Sequence, residues 1–253
     1  RHALKIEYNV VHGTGEAVRD LLDGRADLIG HLPLVALLPA MEQNLNIRIV
    51  YFTDFGMTHT LLVGLHTPYK SLDDLRKAIA EGKKIRLGFS RPGSASHTDI
   101  LILASILGTK VGEGIEAVSI GEIEALVAAL TRREIDGFPW SLERTLDLEE
   151  KGLGRIIFHF SDYFGTNWHE RALATTEDVI KKNPEMIRRF INYWRDVVRY
   201  YMLNRDKAIA LVTESPPKGL GYSRKVAERI YDLYIHNYFG APIKAALENI
   251  DYW

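Results

Sequence analysis

Three hydroxyls and an imidazole fall within five residues at Ser94-Ala95-Ser96-His97-Thr98, directly after Ser90-Arg91-Pro92-Gly93. Before them, Lys84-Ile85-Arg86-Leu87-Gly88-Phe89 reads as a strand. After them, Asp99 to Gly108 carries Ile100, Leu101, Leu103, Ala104 and Leu107 at the spacing of one helical face. A chain that leaves a strand at Pro-Gly and enters a helix through hydroxyl residues turns unpaired backbone N–H groups outward. They lie at the positive end of the helix dipole, where an oxyanion or a carbonyl oxygen is favoured. Capping the helix needs one hydroxyl, from Ser96 or Thr98. The surplus points to a ligand, although the same helix entry also serves plain α/β structure.

The elements that would position this turn can be read along the chain. Leu4, Ile6, Tyr8 and Val10 alternate with polar residues, which predicts a strand over 4–11. His12-Gly13-Thr14-Gly15 then leads into a helix over 16–22. That turn matches only half of a dinucleotide fingerprint, because Val18 stands where the third glycine belongs. Residues 26–30 read as a short buried strand, and His31-Leu32-Pro33 opens a helix with Pro33 in its first turn. A strand over 47–52 ends in Thr53-Asp54-Phe55-Gly56, and 60–65 is a further apolar strand. Ser71 with Asp74 three residues on starts a helix to about Glu81. Strands follow at 115–120, at 135–138 ending in Pro139-Trp140, at 155–160 and at 171–175. Helices are expected over 122–133 and 142–150, and from Thr176 onward the chain reads as all helix. Alternating strands and helices predict a largely parallel α/β sheet with the helical tail packed on it.

The composition is that of an ordinary globular chain of 253 residues, with 46% apolar and 26% charged residues. A net charge of -1 argues against nucleic-acid binding. The absence of cysteine excludes disulfides, thiolate metal sites and a cysteine nucleophile. No apolar run approaches the ~20 residues that span a bilayer. Arg1-His2 is no signal peptide, so a targeting segment has been removed or the chain begins inside a domain. No His-Glu-x-x-His pattern, paired-histidine spacing or Gly-x-Ser-x-Gly elbow occurs, and neither a metal nor a cofactor is expected.

Five phrases, in order, carry a resemblance. They are Asp23-Gly24-Arg25-Ala26-Asp27-Leu28-Ile29-Gly30, Pro68-Tyr69-Lys70-Ser71-Leu72-Asp73-Asp74-Leu75, Pro92 to Thr98, Arg133-Glu134-Ile135-Asp136-Gly137, and Thr176 to Phe190 with Asn183-Pro184-Glu185. Together the chain resembles the solute-binding proteins of ABC importers, in the branch for nitrate, sulfonates, taurine and thiamine-precursor pyrimidines. The resemblance implies a two-lobed periplasmic-binding-protein type II fold, lacking the usual first strand-helix unit. Lobe one would comprise 1–64 and 174–253, lobe two 65–173, with the ligand in the cleft between them. It also implies a periplasmic or extracellular location, with a removed or lipidated N-terminus, and a monomer that delivers a small-molecule solute to a membrane permease.

In such a fold ligands lie outside the carboxyl ends of the strands. The candidate ligand residues are therefore His12, Gly30, His31, Thr53, Phe55, Gly56, Ser94, Ala95, Ser96, His97, Thr98, Trp140, Asn167 and Trp168. Ser94, Ser96 and the amides of 96–98 would hold an oxyanion or carbonyl, and His97 would donate or stack. Phe55, Trp140 and Trp168 offer flat walls to an organic solute, while each aromatic taken alone fits core packing equally well. His31 and His59 fit a role as satisfied partners of backbone groups. Capture of a small organic anion or heterocycle by lobe closure needs no catalytic residue. The alternative is an enzyme on the same fold, a decarboxylase or dehydratase of a small aromatic acid using His97 or His31.

Overall fold

The computed structural model describes residues 4–9, 11, 14–165, 169–214 and 221–234. It divides into two compact units, Arg1–Gly56 with Thr166–Gly221 and Tyr231–Trp253, and Met57–Gly165 with Tyr222–Ile230. The first unit holds α1 (Thr14–Leu22), β1 (Ile29–Pro33), α2 (Leu34–Glu42) and β2 (Arg48–Phe55). The second holds β3 (His59–Val63), α3 (Leu72–Ala80), β4 (Ile85–Phe89), α4 (Ala95–Ile106), β5 (Ile115–Ser119) and α5 (Ile123–Thr131). It continues with β6 (Gly137–Ser141), α6 (Leu142–Glu150), β7 (Arg155–His159) and α7 (Phe160–Phe164). The chain then returns to the first unit with β8 (His169–Thr175), α8 (Glu177–Lys182), α9 (Pro184–Leu203) and α10 (Arg205–Glu214). The last described helix is α11 (Arg224–Leu233).

The first unit carries a three-stranded sheet of order β1-β8-β2, the second a five-stranded sheet of order β5-β4-β6-β3-β7. The expectation of a largely parallel sheet is corrected. β8 runs antiparallel to both neighbours, and so does β3, leaving β4–β5 and β4–β6 as the parallel pairs. Each reversed strand is the first after the chain passes from one unit to the other. As the central strand of its sheet, β8 is buried on both faces, and Ala172 and Ala174 join Leu21, Leu37 and Ile47 in the first core. Leu62, Leu126, Leu130, Ile135 and Phe138 form a core in the second unit.

The predicted strand over 4–11 is absent from residues 4–9. Alternation makes a strand only beside a partner, and neither sheet extends to this segment. β1 also runs three residues further than predicted. His31-Leu32-Pro33 belongs to the strand, and the helix starts at Leu34. The cap at Ser71 forms as expected, its hydroxyl accepting the Asp74 N–H at 3.3 Å while the Asp74 carboxylate accepts the Lys70 N–H at 2.8 Å. Among the described residues no helix is long and apolar enough to cross a membrane.

Gly137 opens β6 where it lies against β3. A Cβ there would stand 2.5 Å from the Leu62 carbonyl oxygen and 3.2 Å from the Val63 Cα, and backbone cannot yield as a side chain tip can. Gly137→Ala is expected to cost about 3 kcal/mol through overpacking, read from denaturant unfolding. A change within ~0.5 kcal/mol would contradict this packing.

Candidate ligand-binding turn and first-unit polar cluster

The turn after β4 brings together five hydroxyls. Ser90 is buried, Gly93 takes φ +79, and Ser94 caps α4. The cap is neither Ser96 nor Thr98 as expected, because the helix begins at Ala95, four residues earlier than its apolar periodicity. Ser94 Oγ accepts the His97 N–H at 3.3 Å, and Thr98 Oγ1 donates to the Ser94 carbonyl at 3.2 Å. The buried Ser96 Oγ accepts the Ser90 N–H at 3.1 Å and lies 3.1 Å from Ser94 Oγ. Ser119, at the end of β5, donates to the Ser90 carbonyl at 3.3 Å. Sequence reading missed Ser119. Its signal is the parallel register, which sets it opposite Phe89.

These bonds account for the surplus hydroxyls as ties within the turn. The His97 amide is taken by Ser94 Oγ and the Thr98 amide by the Ser94 carbonyl. Among the described residues, the Ala95 and Ser96 amides have no acceptor. The His97 ring stacks on Phe89, with centroids 4.7 Å apart. Its Nδ1 accepts the Gly93 N–H at 3.3 Å. A backbone N–H can only donate, so the neutral ring carries its proton on Nε2. The turn thus holds, at a helix N-terminus, two amides without an acceptor among the described residues and one imidazole N–H, donors of the kind an oxyanion takes.

The first unit assembles a second polar group on its sheet. His31 adopts φ +59, a left-handed conformation rare outside glycine, at a register shift in β1. Arg171 on β8 donates from Nη1 to His31 Nε2 at 2.9 Å, so the neutral ring bears its proton on Nδ1 and donates it to Thr53 Oγ1 at 3.2 Å. Asp54, fully buried, lies 3.4 Å from the same Nη1 and 3.5 Å from His31 Nε2. The Trp194 ring of α9 covers His31 at 5.5 Å, its indole nitrogen buried without a hydrogen-bond partner among the described residues.

Burial, and then the Arg171 charge, push the His31 pKa down to about 3. The unfolded chain takes a proton at this residue near 6.5, so the stability it contributes is complete above that pH and is lost as pH falls toward 3. The side chain keeps 36% of its surface exposed, so water tempers the effect. His31→Gln is expected to show a shallower acid decline of melting temperature than the parent across this window. Parallel curves would contradict a neutral, engaged His31.

The other candidates are dispersed. Gly30 lies in β1, Thr53 within β2, and Gly56 directly after it. Phe55 ends β2, but its side chain lies outside the described residues, as do His12, Asn167 and Trp168. Pro139 and Trp140 are strand residues of β6 rather than a post-strand turn, and Trp140 packs against the second core. His59 pairs with buried Asp99, Nδ1 to Oδ2 2.6 Å. Among the described residues no group of three His, Asp or Glu side chains converges as a metal ligand set.

A family model described as NMT1/THI5 like matches residues 98–208. No curated protein sequence matches the chain. Among solved structures, a Candida albicans gene product described as exhibiting the generic periplasmic binding protein structural fold superposes with a TM-score of 0.70 and 19% identity, over 91% of this chain and 72% of that one. The periplasmic aliphatic sulphonate binding protein SsuA of Escherichia coli gives 0.67 and 19%, over 86% and 65%. The periplasmic nitrate-binding protein NrtA of Synechocystis PCC 6803 gives 0.58 and 15%, over 76% and 53%. The match spans less than two thirds of the sulphonate- and nitrate-binding chains. At these identities the likeness is one of fold, and the chain has the periplasmic-binding-protein fold.

Proposed function

We propose that this chain is the extracytoplasmic solute-binding component of an ABC importer, and that the α4 turn holds the oxyanion of a small organic solute, sulfonate-like in class. The observation that carries this is the pair of amides at Ala95 and Ser96, without an acceptor among the described residues, in the turn that also holds His97. Amide donors at a helix N-terminus suit an anion that must be held and released, because they bind without chemistry. The partial match to the NMT1/THI5-like family and the shared fold of the sulphonate- and nitrate-binding proteins support the same class. The half-buried His97 ring, stacked on the buried Phe89, favours an organic ligand over a bare inorganic ion. Delivery to a membrane permease and a periplasmic or extracellular location follow from this reading.

The lyase alternative asks a histidine to give or take a proton. His31 Nε2 accepts from Arg171, and His97 Nδ1 accepts from Gly93, so neither ring has a free lone pair to act as a base in this arrangement. A thermal-shift panel of ethanesulfonate, taurine, nitrate, a thiamine-precursor pyrimidine and benzoate, read with native mass spectrometry, tests the proposal. A bound solute at about 100 times its dissociation constant adds ~2.7 kcal/mol, a shift of roughly 5–10 °C. A shift with an organic sulfonate recovered unchanged is expected. A shift with nitrate alone, or a new product mass, would overturn the reading.

A further inference from the structure

We infer that the outward face of α9, with the exposed pair Lys207 and Leu211 on α10, is a docking surface for an anionic lipid bilayer. The inference stands apart from the reading of the α4 turn.

The character of α9 changes along its outward face. Its first half is charged and neutralises itself, with Arg188 and Arg189 both donating to the Glu185 carboxylate, at 2.6 and 3.1 Å. Its second half is apolar and basic. Val197, Tyr200 and Leu203 follow at three-residue steps, a spacing of neighbours on one helix surface, and are 45%, 47% and 70% exposed. Arg199 lies exposed among them, without an ion-pair partner among the described residues. On α10 the same pairing recurs: Lys207 and Leu211, one turn apart, are both exposed. A single exposed leucine is ordinary, whereas an apolar stripe beside an unpaired guanidinium marks a surface that meets something.

The charge identifies what it meets. As a whole α9 carries four arginines against Glu185 and Asp196, in a chain of net charge -1. The carbonyls at its end, the negative pole of the helix, would repel an anionic surface, and they are already engaged. Asn204 Nδ2 donates to the Tyr200 carbonyl at 2.8 Å, and the Tyr231 hydroxyl lies 3.1 and 2.8 Å from the Tyr201 and Met202 carbonyls. The Asp232 carboxylate of α11 is held by Arg205 through two bonds of 3.1 Å. What fits such a face is an apolar layer beneath a layer of negative charge. Leu203 and Val197 suit the acyl boundary, while Tyr200, Arg199 and Lys207 suit the headgroups.

The test is sedimentation of the full chain with vesicles of equal parts phosphatidylglycerol and phosphatidylcholine, beside vesicles of phosphatidylcholine alone, with light scattering to read the mass of the free protein. The parent is expected to bind the anionic vesicles about tenfold or more tightly than the neutral ones, and to be released by high salt. Tyr200→Ser with Leu203→Asp, and separately Arg199→Glu, should each weaken vesicle binding by about tenfold. All three side chains are exposed, so the melting temperature should stay within a few degrees of the parent. Should the apolar double variant fail to fold, Arg199→Glu and the neutral vesicles decide the matter. Equal binding to both vesicles, no binding, or variants that bind as the parent does would overturn the inference. So would a parent dimer that the double variant dissolves, which would give the face to a second copy of the chain. Vesicle binding by a parent that takes no organic sulfonate keeps this inference and removes only the functional reading.

Discussion

Arg171→Met is expected to lower the stability of the first unit by about 3–5 kcal/mol, the cost of deleting one partner of a buried ion pair. The guanidinium is 12% exposed and sits on the central strand between β1 and β2, where it meets both His31 and the fully buried Asp54. Without it, the carboxylate faces an imidazole that burial holds neutral, and His31 Nε2 loses its donor. At ~2–4 °C per kcal/mol, the melting transition should fall by about 10 °C. The deficit should shrink on acidification, because removing the Arg171 charge lets His31 take the proton that Asp54 then stabilises. Thermal unfolding across the acid range checks both statements. A loss within ~1 kcal/mol would mean that Asp54 is held by its other contacts.

The second large effect concerns binding. Ser96→Ala together with His97→Ala is expected to reduce solute affinity by about a hundredfold, since it removes the Nε2 donor and loosens the turn that aims the amides. The fold should not escape untouched. Ser96 Oγ is the acceptor for the buried Ser90 N–H, and leaving that group unmade costs about 1–3 kcal/mol. His97→Ala alone, which keeps this bond, should retain the parent melting temperature to within a few degrees while still losing ~tenfold in affinity. Calorimetry on both variants separates the donor from the scaffold. Unchanged affinity in the double variant would reduce Ser94 to Thr98 to a helix cap.

Much of the second unit was legible because its signals are local. The capping pattern at Ser71, the apolar periodicities of α4 and α5, and the Pro-Gly entry at Ser94 each depend on residues a few positions apart. What escaped depends on distant partners. Strand direction is invisible to alternation, so the reversal of β3 and β8 could not be read. Residues 4–9 carry a strand pattern, but pattern alone does not supply the neighbour. The Arg171–His31–Asp54 cluster joins residues 140 and 117 positions apart. Its sequence signal was slight, since Arg171 opens a run that otherwise reads as apolar strand while Asp54 falls in the turn read after the strand over 47–52. The reading of Ser94, Ser96 and Thr98 as ligand hydroxyls shifted for a related reason. Only the geometry reveals that they tie the turn, while the Ala95 and Ser96 amides have no acceptor among the described residues.

The most direct measurement is therefore on those amides. In a 1H–15N correlation spectrum titrated with ethanesulfonate, the Ala95 and Ser96 amide protons should move downfield together and saturate with the binding isotherm, as each gains an acceptor. The Thr98 amide, already bonded to the Ser94 carbonyl, should move far less. Saturable binding that leaves Ala95 and Ser96 in place would contradict the α4 turn as the seat of the anion.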